Sequence, residues 1–302
     1  MNASLRARGK MSIRQRRQAL IGAAYIAPSF VLMLIFNIIP IGLSFYFSFT
    51  QYSMASSPVW IGLENYRKLL SNSVLRQSLE NTVWYVLMTV PIQTALALLL
   101  ATFIAEHMRN RYGSLLRSII FIPMIVSLIA SATVWRIMLQ TNDGLINQFL
   151  GLFGIEKVNF LGKAYALRSV AAVAIWKSTG YYMVIYYAGV MNVPSDVREA
   201  AIVDGATPIQ RFWHITLPIL KPITYMIVTL GIIGSFQVFD LVYKMTGGGP
   251  VRATYTVAYV IYTFAFQDKR FGYASAVAVC LMIVILLIHL IQTLFFKEKE
   301  DA

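Results

Sequence analysis

The stretch EAAIVDGATPIQRFWHITLP, Glu199 to Pro218, sets chemically capable side chains of both signs between two long apolar runs: the carboxylates Glu199 and Asp204 followed by the basic Arg211 and His214. Carboxylates in such a place are available for a basic residue on another protein's surface. Inside the apolar runs themselves such groups are sparse. The histidines, His107, His214 and His289, have neither a metal-ligand spacing nor a paired carboxylate, and the single cysteine, Cys280, lies in an apolar run. No metal site, disulfide framework or catalytic constellation can be assembled from them, so the chain is not expected to be an enzyme. Lys177 stands alone inside another apolar run, accompanied by Tyr181, Tyr182, Tyr186 and Tyr187.

The elements that hold these residues lie in lipid. The 302 residues are 58% hydrophobic and 13% charged, about half the charged fraction of a soluble domain. A net charge of +13 would suggest nucleic acid in a soluble protein. Here the basic residues cluster at the ends of apolar runs, so membrane lipid is the expected partner and nucleic acid is not. Length alone suggests about two globular domains, but repeated runs near the ~20 residues that cross a bilayer predict one membrane domain instead. Arg6, Arg8, Lys10, Arg14, Arg16 and Arg17 precede an apolar run much longer than the roughly 7 to 15 residues of a cleavable signal core. A retained first span is expected.

The pattern predicts an all-α transmembrane fold, a six-helix polytopic bundle with spans near 20–49, 81–105, 116–139, 168–192, 217–244 and 273–296. No period-2 alternation favours a barrel, and prolines 28, 40, 91, 123, 218 and 222 predict kinks. Fourteen basic residues fall on the N-terminal side of this topology, Arg109, Arg111, Arg117, Arg198 and Lys221 among them, against ten spread over longer loops on the other. That places both termini and the Glu199 loop in the cytoplasm. The expected division is a basic cytoplasmic segment 1–19, a membrane domain 20–297 containing the loop 193–216, and a cytoplasmic tail 298–302. On the opposite side, IGLENYRKLLSNSVLRQSLENTVW and NDGLINQFLGLFG carry apolar residues at helical spacing, as short helices lying in the interface do.

The loop between spans four and five reads as two short helices. Ser195 can cap a helix starting at Asp196, with Asp196 and Glu199 placed favourably against its positive end. Gly205 ends it, and Thr207 caps a second helix with Pro208 at the first position, running to Ile215. Val197, Ala200, Ala201 and Asp204 share one face, small enough for close approach. Either this is an amphipathic helix packed on its own span ends, or it is a knob fitting a cleft in a soluble partner.

Glu199-Ala200-Ala201, then three residues, Gly205, nine residues, Ile215, one residue and Leu217-Pro218 match the EAA motif, and on it the chain resembles permease subunits of bacterial ABC importers. GLENY at Gly62 to Tyr66, Asn81-Thr82, PMIVSLIASATVW, NDGLINQFL, AIWKSTGYYMVIYYAG, FDLVYKMTGGGPVRAT and YVIYTFAFQDKRFGYASA resemble the carbohydrate branch, of maltose and glycerol-phosphate type. The TGGGP stretch is similar to the first of the two permease subunits. The resemblance spans about residues 15 to 297. It implies inward movement of a sugar, oligosaccharide or sugar-like solute, with residues 199 to 218 as a coupling helix that docks on an ATPase. The implied partners are a second homologous permease subunit, two cytoplasmic ATPase subunits and an extracytoplasmic solute-binding protein, and the implied location is the bacterial inner membrane. No G-x-x-x-x-G-K-[ST] phosphate loop occurs, so this chain is expected to bind no cofactor, ATP and Mg²⁺ being held by partner subunits.

Lys177 near the middle of a span is costly unless it faces a polar interior or a partner. It either pairs with Asp240, a neighbouring carbonyl or another subunit, or it contacts the solute. Tyr181, Tyr182, Tyr186, Phe236, Gln237 and Phe239 offer apolar faces with polar tips, suited to sugar rings; the alternative is ordinary helix packing. Gly247-Gly248-Gly249-Pro250 reads as a turn needing positive φ, with no following helix to make a phosphate site. The rival functions are a secondary transporter, which would show internal repeats, a permease for a non-sugar solute, and a membrane enzyme.

Overall fold

The computed structural model describes residues 13–108 and 110–297. Arg6, Arg8, Lys10, Arg109 and the tail 298–302 lie outside them. Helix α1 (Ile13–Met33) continues through a π turn at Leu34–Ile38 into α2 (Ile39–Ser48), then a two-stranded antiparallel hairpin, β1 (Thr50–Ser53) and β2 (Ser56–Trp60). Next come α3 (Glu64–Leu70), α4 (Ser73–His107), α5 (Arg111–Ile125), α6 (Leu128–Met138), α7 (Leu145–Gly151) and α8 (Ala166–Met191). The rest is α9 (Ser195–Val203), α10 (Pro208–Arg211), a π turn at Phe212–Thr216, α11 (Leu217–Ile219), α12 (Lys221–Phe236), α13 (Asp240–Met245), α14 (Val257–Tyr262), a π turn at Thr263–Gln267 and α15 (Phe271–Lys297).

By length and hydropathy, Leu20–Ser48, Ser73–His107 and Phe271–Leu294 can each cross a membrane as one helix. The third and fifth expected spans are instead bent pairs: α5 with α6 at 94°, and the Pro208–Ile219 segment with α12 at 69°. Among the described residues, three helices meet these criteria on their own, and five spans do if each bent pair is taken as one. The fourth expected span, α8, has the length but not the hydropathy. Its core positions face other helices rather than lipid: Val170, Val173, Met183, Tyr186 and Val190 are all buried. Two of the π turns lie just before prolines, Pro40 and Pro218. Each proline lacks the N–H that the carbonyl four residues back would accept, and widening the preceding turn relieves that conflict.

The second span starts eight residues earlier than its hydropathy suggests, because Asn72 caps it: its Oδ1 accepts from the N–H of Val74 at 2.9 Å and of Leu75 at 3.1 Å. The polar residues 73–80 thus belong to a continuous helix, and only α3 remains of the first expected interfacial helix. The second is α7. The β-hairpin was not expected from the hydropathy pattern. Asn65, in the GLENY stretch, pins it by donating to the carbonyls of Ser48 and Thr50, both at 2.9 Å, while the Tyr66 hydroxyl donates to Ser48 Oγ at 2.7 Å. Asn65 is buried, so Asn65→Ala leaves two carbonyls without their donor. The expected loss is about 2 kcal/mol, measurable as a lower unfolding midpoint of the detergent-purified chain.

The centre of the bundle is the α4–α8 pair. Ala97, Ala101 and Ala105 repeat every four residues on α4, all with no exposed surface, and meet Tyr182, Met183, Tyr186 and Val190 of α8. Small residues in a row let helix backbones approach closely, which is how helices associate in lipid. Gly180 does the same toward α5, while Gly189 makes room for the side chains of Leu220 and Ile223 at the start of α12.

Candidate functional site

The Glu199 hairpin is built by its turn. Helix α9 ends in a Schellman arrangement: the N–H of Ala206 donates to the Ala201 carbonyl at 2.9 Å, the N–H of Gly205 donates to Ile202 at 3.0 Å, and Gly205 has φ +75°. Thr207 caps the next helix reciprocally, its Oγ1 accepting from Gln210 N–H at 3.3 Å while Gln210 Oε1 accepts from Thr207 N–H at 2.8 Å. Arg211 Nη1 donates to the Ala206 carbonyl at 2.9 Å and Arg198 Nη2 to the Val190 carbonyl at 3.3 Å. The basic residues are therefore used to shape the loop and tie it to α8. Glu199 and Asp204 are exposed, and among the described residues the ion pairs are Lys68–Glu64 and Arg76–Glu80, neither involving them. Val203, Ile209 and Trp213 are exposed beside them. The hairpin thus offers carboxylates and apolar side chains outward on a fixed turn.

The expected cap at Ser195 is not formed. Helix α9 begins at Ser195 itself, after Pro194 with φ −55°, and the serine hydroxyl donates to Asp196 Oδ1 at 3.2 Å. Pro194, extended at ψ 133°, occupies the cap position itself, so Ser195 becomes the first helical residue and is one place too late to cap. Ala201 turns inward and is buried, whereas Ala200 and Asp204 remain exposed.

A cavity of about 280 Å³ opens where α4, α8 and the breaks of two other spans meet. It is lined by Tyr85, Thr89 and Gln93 of α4, Lys177, Ser178 and Tyr182 of α8, Met124 and Leu128 flanking the α5–α6 break, and Gln237 to Leu241 at the α12–α13 break. Its lining is mixed: hydroxyls and carboxamides on an apolar frame, one carboxylate at Asp240 and one ammonium at Lys177. Gly231 keeps the wall narrow, since a Cβ there would lie 2.8 Å from Gln93 Nε2.

Residues 69–300 match the family described as binding-protein-dependent transport system inner membrane component. The chain belongs to this family. It is therefore a membrane component of a transport system. It is 35% identical to the probable ABC transporter permease protein YesP of Bacillus subtilis, over 97% of each chain. It is 31% identical to the trehalose/maltose transport system permease protein MalF of Thermococcus litoralis, covering 94% of this chain and 96% of that one. The fold matches a crystal structure of a bacterial ABC transporter involved in the import of the acidic polysaccharide alginate, with a TM-score of 0.85 at 23% identity, over 95% of this chain and 98% of that one.

In this transport component the expected path residues divide. Lys177, Tyr182, Gln237, Asp240 and Phe239 line the cavity. Tyr186 is fully buried with its hydroxyl donating to Thr224 Oγ1 at 3.0 Å, Phe236 packs against α14 and α15, and Tyr181 packs beside Tyr182 with ring centroids 5.3 Å apart. Tyr186 and Phe236 thus hold helices together, while the Tyr181 ring contact stays within α8. Tyr187 lies under the Arg117 guanidinium, 4.1 Å from its centroid. The Lys177 ammonium donates to main-chain carbonyls of the α5–α6 break and makes no ion pair with Asp240. Sequence reading missed Tyr85, Thr89 and Gln93, whose four-residue spacing puts three polar side chains on one face of an apolar helix. That periodicity was the available signal. The glycine turn has φ +58° at Gly247 and +80° at Gly248, as its composition requires, and Asn81 Nδ2 holds it by donating to the carbonyls of Arg252 at 3.0 Å and Tyr255 at 2.9 Å.

Proposed function

We propose that this chain is the membrane-spanning permease subunit of an ATP-driven importer for a sugar, oligosaccharide or sugar-like solute, forming half of the translocation pathway. A second homologous permease subunit completes that pathway, two cytoplasmic ATPase subunits hold ATP and Mg²⁺, and an extracytoplasmic binding protein delivers the solute. Both termini and the Glu199 hairpin lie in the cytoplasm, in the inner membrane of a bacterial cell. Glu199, Ala200, Ala201, Asp204, Gly205, Ile215, Leu217 and Pro218 make the coupling element, and the cavity wall makes part of the solute path.

The observation that carries this reading is the hairpin: a rigid turn presents Glu199 and Asp204 with no basic partner among the described residues, next to exposed Val203 and Ile209. Charged and apolar groups left outward on an ordered loop suit a docking surface. Closure of the ATPase dimer would move this loop and, through α8 and α12, the cavity walls, which requires two states biased by ATP and by the binding protein. Family membership and the sugar-transport names of relatives support the solute class. Cysteines placed at Glu199, Ile202 and Val203, crosslinked in intact cells, should capture an ATPase subunit identifiable by mass spectrometry. Capture of none at any of the three positions would defeat the proposal.

A further inference from the structure

Gly180 and Lys177 are three residues apart, on one face of α8, and both meet α5. At Gly180 the two backbones touch: a Cβ there would lie 2.1 Å from the Ile120 carbonyl oxygen and 3.0 Å from Phe121 Cα. One turn earlier, the Lys177 ammonium donates to the carbonyls of Pro123 at 2.9 Å, Val126 at 2.6 Å and Met124 at 3.5 Å. These carbonyls belong to the last turn of α5 and the residue after it, the groups that a helix end leaves without N–H partners. A bent span in lipid has no water to supply them. The bend here is 94°, and Val126 is extended, with φ −64° and ψ 139°. A cation also sits favourably at the negative end of a helix.

An ammonium has three N–H groups, and three carbonyls take them up. Lys177 is 8% exposed. The elbow it binds is also a wall of the cavity, through Met124 and Leu128 on either side of the break. Beyond the elbow, α6 packs on α13, so the elbow's angle sets the position of two short helices that adjoin the cavity.

We infer that Lys177 is a positioning residue: it holds the α5–α6 elbow, and through it the cavity wall, and is not a ligand of the transported solute. In this chain's half of the pathway, solute recognition then falls to Gln93, Ser178, Gln237, the Tyr85 and Tyr182 hydroxyls and the Asp240 carboxylate, a set with no free cation for an acidic sugar. The consequence for the solute rests on the import reading, whereas the positioning role does not.

Amide hydrogen exchange on the purified full chain in lipid nanodiscs, with no solute added, reads the elbow directly. Lys177→Met should raise exchange over residues 124–131 by about fivefold or more, and Lys177→Arg, which keeps charged donors, should stay within about twofold of the parent. Lys177→Gln, with donors but no charge, is measured in parallel and replaces the methionine variant in the comparison if that chain does not accumulate. Exchange equal to the parent in the variant compared overturns the assignment, whatever the chain transports. In the importer assembled with its ATPase subunits, ATP hydrolysis without solute should change by about threefold in Lys177→Met and recover in Lys177→Arg. A defect confined to solute-stimulated hydrolysis, with elbow exchange unaltered, would make Lys177 a solute ligand and also overturn the assignment. Raised elbow exchange in a chain that never associates with an ATPase would refute the import reading and leave the positioning role standing.

Discussion

Gly205→Pro is expected to lower ATP-driven solute uptake by about tenfold or more while the chain still reaches the membrane in normal amount. The residue has φ +75° and its N–H donates to the Ile202 carbonyl at 3.0 Å. Proline is locked near −65° and has no N–H, so the turn joining α9 to α10 must reform in another shape. Nothing lies within 4 Å of a Cβ built at this position. The damage is therefore confined to the backbone of the exposed hairpin and does not spread into the bundle. Glu199→Lys is its companion: the side chain is exposed, so charge reversal should leave the unfolding midpoint unchanged and still reduce partner-stimulated ATP hydrolysis. Normal uptake in both variants would remove the hairpin from the mechanism.

The second large effect is expected at Gly180. Gly180→Ala places a methyl 2.1 Å from the Ile120 carbonyl oxygen and 2.8 Å from its carbon. Backbone atoms cannot swing aside as a flexible side chain can, so α8 and α5 must separate. The expected cost is about 3 kcal/mol, the upper end for forcing extra volume into a packed interior. The separation would also pull the Lys177 ammonium off the elbow. Gly42→Ala is the control of opposite sign, because nothing lies within 4 Å of its added methyl and alanine favours a helix over glycine by about 1 kcal/mol. Thermal unfolding of the purified variants checks both, and parent-like unfolding of Gly180→Ala would show that the two helices are not in backbone contact.

How far these features could be read in advance depends on whether they are local. The turn at Gly205 and the cap at Thr207 with Pro208 are set by residues within a few positions of one another, and both are found as expected. The Ser195 cap is equally local but lost to Pro194, which takes the cap position and moves Ser195 into the helix. Long apolar runs located the membrane elements, yet their ends moved wherever a polar side chain supplied a cap, as Asn72 does for α4. The breaks were harder. Pro123 and Pro222 announced kinks, but the 94° turn after Ile125 depends on a lysine 51 residues away in sequence, donating to Val126. The cavity is the least local feature of all, assembled from four stretches of chain, and only after assembly do Tyr182 and Gln237 separate from Tyr186 and Phe236, which had looked equally suited to a sugar.

The low hydropathy of α8 bears on how the protein is made. A lysine at the centre of a helix raises the cost of membrane entry by about 3 kcal/mol, and Ser178, Thr179 and four tyrosines nearby do little to offset it. The faces that accept this helix, on α4 and α5, are synthesised before it. Partitioning of α8 into the bilayer during biogenesis is thus a joint event with those earlier segments, and transplanting it alone behind an unrelated leader would leave it stranded outside.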